Sequence, residues 1–125
     1  MDIQNALIAF DALSQETRLQ VFRLLVSRGN DGAAAGIISS TLNIPHNTLS
    51  FHLNHMSNAK LIIAQRVSRS IIYRANFVLM QQLIRFMVEN CCQTDGTQMR
   101  TDKKRGCDII ELSPCCPQTP ERKKP

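Results

Sequence analysis

The residues of this chain best equipped for chemistry are five cysteines, and all of them fall within its last 35 positions: Cys91-Cys92, Cys107 and Cys115-Cys116. Thiolates are soft ligands, so clustered thiols favour soft, thiophilic ions. Inert surface thiols explain the pattern poorly, because exposed cysteines are uncommon and these come in pairs. Disulfides explain it poorly too, since neighbouring cysteines seldom bridge each other and a reducing compartment keeps thiols free. A catalytic pattern is also present on paper. Cys116 and Arg122 are spaced as in the phosphate loop of small tyrosine phosphatases and related arsenate reductases. Such a loop aims successive backbone N–H groups at an oxyanion. Pro117 and Pro120 delete two of those donors and only three residues follow Arg122, so the spacing is a chance match and no enzyme is expected.

The thiols need something to act on, and the preceding residues supply it. Residues 1–92 read as one small domain and 93–125 as a tail rich in Gly, Pro, Thr and charge. The net charge is +5, but its placement matters more. Between Asp31 and Glu89 there is no acidic residue, while Lys60, Arg66, Arg69, Arg74 and Arg85 lie inside that interval. A solvated basic face is the plain explanation; so long a stretch without a carboxylate favours a polyanion, nucleic acid above all. No run is long enough to span a membrane and no basic-then-apolar leader opens the chain, so a cytoplasmic protein is expected.

Periodicity predicts a mainly α domain with one small β-hairpin. Ile3, Ala6, Leu7 and Phe10 make a short helical stripe over residues 2–11. Ser14 is placed to cap a second helix, with Leu19, Phe22, Leu25 and Val26 inward, and Gly29 to Gly32 ends it. A third helix is predicted from Ala33 to Leu42, then a turn at Asn43-Ile44-Pro45 with Ile44 buried. The next helix, from His46 to Ala59, puts Leu49, His52, Leu53 and Met56 on one face and Asn47, Ser50, Phe51 and Asn54 on the other. Two helices joined by a short turn, the second offering hydrogen-bonding side chains, form a helix-turn-helix. Residues 61–66 and 70–74 are rich in β-branched residues around a polar turn, a wing. A last helix over 77–90 is apolar on more than one face, so the first and last helices are the expected seam of a homodimer.

Asn can pair donor and acceptor with adenine and Ser tolerates either groove edge, so Asn47, Ser50 and Asn54 are the expected base contacts, with His46 near phosphates. Phe51 suits a thymine methyl and packing on the preceding helix about equally. His52, on the inward face, reads as a structural histidine. Arg66 and Arg69 in the wing are expected at phosphates or in the minor groove, whereas Lys60 and Arg74 fit solvated surface positions.

Four stretches, Leu13 to Leu19, Thr48 to Leu53, Ile71-Ile72-Tyr73 and Glu89-Asn90-Cys91-Cys92, occur in the order and spacing of the ArsR/SmtB family of winged-helix repressors, which the chain resembles over about residues 3–92. The resemblance implies a homodimer that binds double-stranded operator DNA and dissociates when an ion binds. The first helix of the helix-turn-helix holds no cysteine box and the last helix no histidine, unlike two well-known branches of the family. The glycine common at the wing tip is replaced by Ser68. The chain is similar instead to a subgroup whose arsenic site is a cysteine pair at the end of the last helix plus one cysteine further on. That implies Cys91, Cys92 and Cys107 as ligands of trivalent arsenic (arsenite), or of antimony by similar chemistry. The 14 residues between Cys92 and Cys107 are ample to fold back, and Cys115 and Cys116 could compete for the third place. Two other sensors remain open: a thiol redox switch resolved by Cys107, and a zinc or cadmium site, although zinc cysteines are usually two to four residues apart.

Overall fold

The first helix, α1 (Ile3–Leu13), turns three alanines inward. Ala6, Ala9 and Ala12 are all buried, so its backbone lies close against the core. In this computed structural model, which describes residues 1–91 and Thr94, the large apolar side chains of α1 before Leu13 point the other way. Ile3 is 60% exposed, and Leu7, Ile8 and Phe10 are exposed as well. The apolar stripe predicted from Ile3, Leu7 and Phe10 is therefore the outer face, with only Ala6 inward. Asp2 caps α1 by accepting from the Asn5 N–H at 2.8 Å.

Helix α2 (Glu16–Arg28) is capped by Gln15, whose side chain accepts from the Arg18 N–H at 2.9 Å. Ser14 instead closes α1, its hydroxyl donating to the Asp11 carbonyl at 2.9 Å. The buried frame of α2 is Arg18, Val21, Phe22 and Leu25, one residue earlier than expected, and Leu19 is left 44% exposed. A 3-10 turn (Gly29–Asp31) leads into β1 (Ala33–Ala34), so α3 begins only at Ala35 and runs to Leu42. Two alanines carry no periodic signal, which is why this strand is silent in the sequence.

Helix α4 (His46–Asn58), the hairpin β2 (Ile62–Val67) and β3 (Ser70–Ala75), and α5 (Phe77–Val88) complete the fold. The antiparallel sheet has the order β1-β3-β2, with Ala33 opposite Tyr73 and Ile62 opposite Ala75. This is the winged helix-turn-helix architecture expected. Residues 1–87 form one unit whose core joins the α1 alanines to Val21, Leu25, Ile38, Leu49, Met56 and Leu61. Leu83 is the buried residue of α5; Val78, 66% exposed, and Met87 face outward. Among the described residues, no helix is long and apolar enough to cross a membrane.

The link into β1 rests on Gly32. Its φ is +61°, and a Cβ there would lie 2.3 Å from the Tyr73 carbonyl oxygen and 2.6 Å from Arg74 Cγ. Both the dihedral and the space demand glycine. Gly36, inside α3, would meet nothing within 4 Å. In urea unfolding, Gly32→Ala should destabilise the protein by roughly 2–5 kcal/mol, the strain of a glycine-only backbone conformation plus overpacking. Gly36→Ala should stabilise it by about 0.5–1 kcal/mol. Equal effects of the two would show that β1 is not held against β3 as described.

Candidate nucleic-acid interface and thiol site

The turn between α3 and α4 is built from local hydrogen bonds. Asn43 adopts a left-handed φ of 57° that closes α3, and the Ile44 N–H donates to the Ser39 carbonyl at 3.0 Å. The Ser39 hydroxyl donates in turn to the Ile44 carbonyl. Ile44 is buried and Pro45 sits at the N-cap of α4, where a missing N–H costs nothing. The helix then divides as its periodicity predicts. Leu49, His52, Leu53 and Met56 are buried; His46, Asn47, Ser50, Phe51 and Asn54 are exposed.

One contact on the buried face of α4 is not legible in its periodicity. Arg18 is buried, and its Nε donates to the Ala12 carbonyl at 2.6 Å. Its Nη1 lies 3.2 Å from Nδ1 of the buried His52. A guanidinium can only donate, so His52 Nδ1 is the acceptor and the ring proton sits on Nε2. Burial, then the Arg18 charge, then His55 hold His52 below the ordinary imidazole value of 6.5. The available signal was the frame Arg18, Val21, Phe22, Leu25, which fits helical spacing once an arginine is allowed inside.

Phe51 does not disappear into the core. It is 65% exposed, its ring edge-on to His52 at a centroid distance of 5.5 Å. With Asn54 and His55 it lines an open groove of about 620 Å³ whose other wall is Leu7, Ile8 and Asp11 of α1. His55 Nε2 stands 3.8 Å from Asp11 Oδ2 across it.

Arg66 on β2 and Arg69 in the turn are both exposed. Ser68 carries a φ of 60° and no positive φ occurs at Arg69, the sign pattern of a II′ turn, which the strand twist favours. Serine thus holds a conformation better suited to glycine. Lys60 is exposed, and its carbonyl accepts from Asn76 Nδ2 at 2.8 Å. Arg74 is half-buried rather than solvated.

At the other end, α5 stops at Val88 and Asn90 takes a left-handed φ of 66°, a conformation asparagine tolerates. The helix is thus two residues shorter than predicted. Cys91 lies beyond it, half-buried, its N–H donating to the Val88 carbonyl at 3.0 Å. Cys92, Cys107, Cys115 and Cys116 lie outside the described residues. Among the described residues, no group of three or more His, Cys, Asp or Glu is placed to hold a metal ion.

Comparison with known proteins agrees with this architecture. Residues 13–64, which hold α2, α3 and α4, match the family model of a helix-turn-helix domain. The chain is 34% identical over 79 residues to the transcriptional repressor SdpR of Bacillus subtilis, covering 63% of this chain and 84% of that protein. An ArsR-like transcriptional regulator from Rhodococcus sp. RHA1 superposes with a TM-score of 0.65 at 24% identity, covering 75% of this chain and 86% of that one. The homodimeric winged helix-turn-helix domain of Mb0332 from Mycobacterium bovis does so at 0.58 and 18%, covering 78% and 89%.

The burial of His52, with the Arg18 charge beside it, makes stability depend on pH in a defined direction. Because the folded-state value of His52 is lowered, the unfolded chain binds this proton first as pH falls. The contribution is complete above pH 6.5 and is lost between 6.5 and the lower folded value. His52→Gln keeps an acceptor for Arg18 and should flatten the slope of stability against pH below 6.5, as read by denaturant titration at a series of pH values. Arg18→Ala should cost roughly 1.5–3 kcal/mol at neutral pH. An unchanged slope in the glutamine variant would mean that His52 is not the titrating group.

Proposed function

We propose, for a chain that belongs to the ArsR family of winged helix-turn-helix transcriptional regulators, that it is a homodimeric repressor released from operator DNA when its C-terminal thiols bind trivalent arsenic. The observation that carries the DNA half is the outer face of α4: exposed Asn47, Ser50, Phe51 and Asn54, in a stretch from 32 to 88 without a carboxylate. His46 at the helix start and Arg66 and Arg69 in the wing suit phosphate contacts. The thiol half rests on the placement of all five cysteines from residue 91 onward.

The chemistry suits arsenite. As(OH)3 exchanges three hydroxides for three thiolates and releases three waters, with no change of oxidation state. Cys91, Cys92 and Cys107 supply the three sulfurs, and the ion ties the segment after α5 to its own tail. Antimonite reacts alike. Such an ion shifts the DNA equilibrium only through different affinities for the free and bound dimer.

Two experiments test these parts. Arsenite should release the wild-type protein from DNA, whereas Cys91→Ser, Cys92→Ser and Cys107→Ser should each bind DNA normally and respond at least about tenfold more weakly, since three thiolates cooperate. Replacing Cys115 and Cys116 together should leave the response near normal. Release by zinc, cadmium or peroxide but not arsenite would turn the reading toward a zinc or redox sensor, and release persisting in a chain cut after Glu89 would remove the thiol site altogether.

The dimer is supported by the outward apolar faces of α1 and α5, which one small domain leaves uncovered. Deleting α1 would also strip three core alanines, so a point change is cleaner. Leu7→Glu with Val78→Glu should give a folded monomer in sedimentation velocity and weaken operator binding by roughly 100-fold or more, because two half-sites lose their tether. A dimer surviving both changes would exclude this seam.

A further inference from the structure

We infer, resting on the DNA-binding reading above, that this recognition helix selects A·T over G·C base pairs, and does so through the major groove. Over its whole length, from His46 to Asn58, α4 contains no Lys, Arg, Asp or Glu. Guanine offers two acceptors, O6 and N7, which Arg or Lys can bridge, and cytosine offers an amine that a carboxylate accepts. This helix has the side chain for neither. What it exposes is the chemistry of the other pair. An asparagine amide matches adenine N6–H and N7 together, and an apolar side chain matches the thymine methyl.

The placement fits that partner. Asn47, Ser50, Phe51 and Asn54 form one exposed stripe at i, i+3, i+4 and i+7. Seven residues rise about 10.5 Å, which spans roughly three base steps of about 3.4 Å. Helix-turn-helix proteins put the N-terminal part of the recognition helix on base edges, which makes Asn47 the adenine reader and Phe51 its thymine neighbour. Phe51, 65% exposed, sets an aromatic edge among the amides and hydroxyl of this face, where a thymine methyl can meet it. His46 does not undo the preference: a neutral imidazole has one donor and cannot bridge both guanine acceptors. Ser50 is indifferent.

The wing offers a competing route to the same preference. Arg66 and Arg69 are exposed, and arginine favours the narrow minor groove of A·T tracts. Inosine·cytosine pairs separate the two routes, because they present an A·T pattern in the minor groove and a G·C-like pattern in the major groove. The full-length protein would first be used to select half-sites from a randomised duplex pool. Single A·T pairs of the selected site would then be replaced by I·C. The expected result is A·T-rich half-sites whose affinity falls about 5- to 150-fold for each contacted pair replaced. Asn47→Ala should lose the discrimination at one pair while keeping its non-specific affinity and salt slope. Selected half-sites centred on G·C pairs, or unchanged binding to I·C sites, would overturn the proposal, the latter handing the readout to the wing. A protein that selects no duplex at any salt concentration would overturn the repressor reading, and this one with it.

Discussion

A buried guanidinium with a carbonyl and an imidazole around it ties three helices of this domain together. Arg18 reaches from the start of α2 to the last turn of α1 and to the middle of α4, touching the Ala12 carbonyl and His52 Nδ1. Removing such a charge from water is costly, and these hydrogen bonds offset it. The arrangement holds only while His52 is neutral, since a protonated ring would set one cation against another. With His52 fixed inward, successive residues of α4 turn by about 100° each and the outer face follows. The Arg18 contact thus agrees with the burial of Leu49, Leu53 and Met56, which turns Asn47, Ser50, Phe51 and Asn54 outward.

Where side-chain periodicity was the only determinant, the sequence was enough to read the structure. Both faces of α4 fall as their spacing implies, because a helix with four apolar or aromatic residues at i, i+3, i+4 and i+7 has one way to bury them. The hairpin is legible for the same reason, its β-branched runs bracketing a two-residue turn. Elsewhere the simplest signal misled. Hydrophobicity put Leu19 inside, yet the frame that closes the core begins at Arg18, since an arginine with two buried acceptors is satisfied where it sits. In α1 the large residues drew attention and the alanines carried the packing. The two alanines of β1 carry no pattern at all, and Asn90 ends α5 through a dihedral that residue type only permits.

The two candidate sites differ in how they are encoded. The nucleic-acid face is an arrangement in space, assembled from one helix and a wing. The proposed thiol site is an arrangement in sequence: five cysteines gathered after residue 90, readable from residue types alone.

The alanine stripe of α1 bears on how any signal would travel. Alanine has no side-chain rotamers to rearrange, so Ala6, Ala9 and Ala12 give α1 a stiff seat with nothing soft between its backbone and the core. The same helix lends the Ala12 carbonyl of its last turn to Arg18 and one wall to the groove that holds Phe51 and Asn54. A push on the outer face of α1 therefore has little side-chain compliance in which to dissipate. The recognition helix lies just across the groove that Leu7 and Ile8 wall.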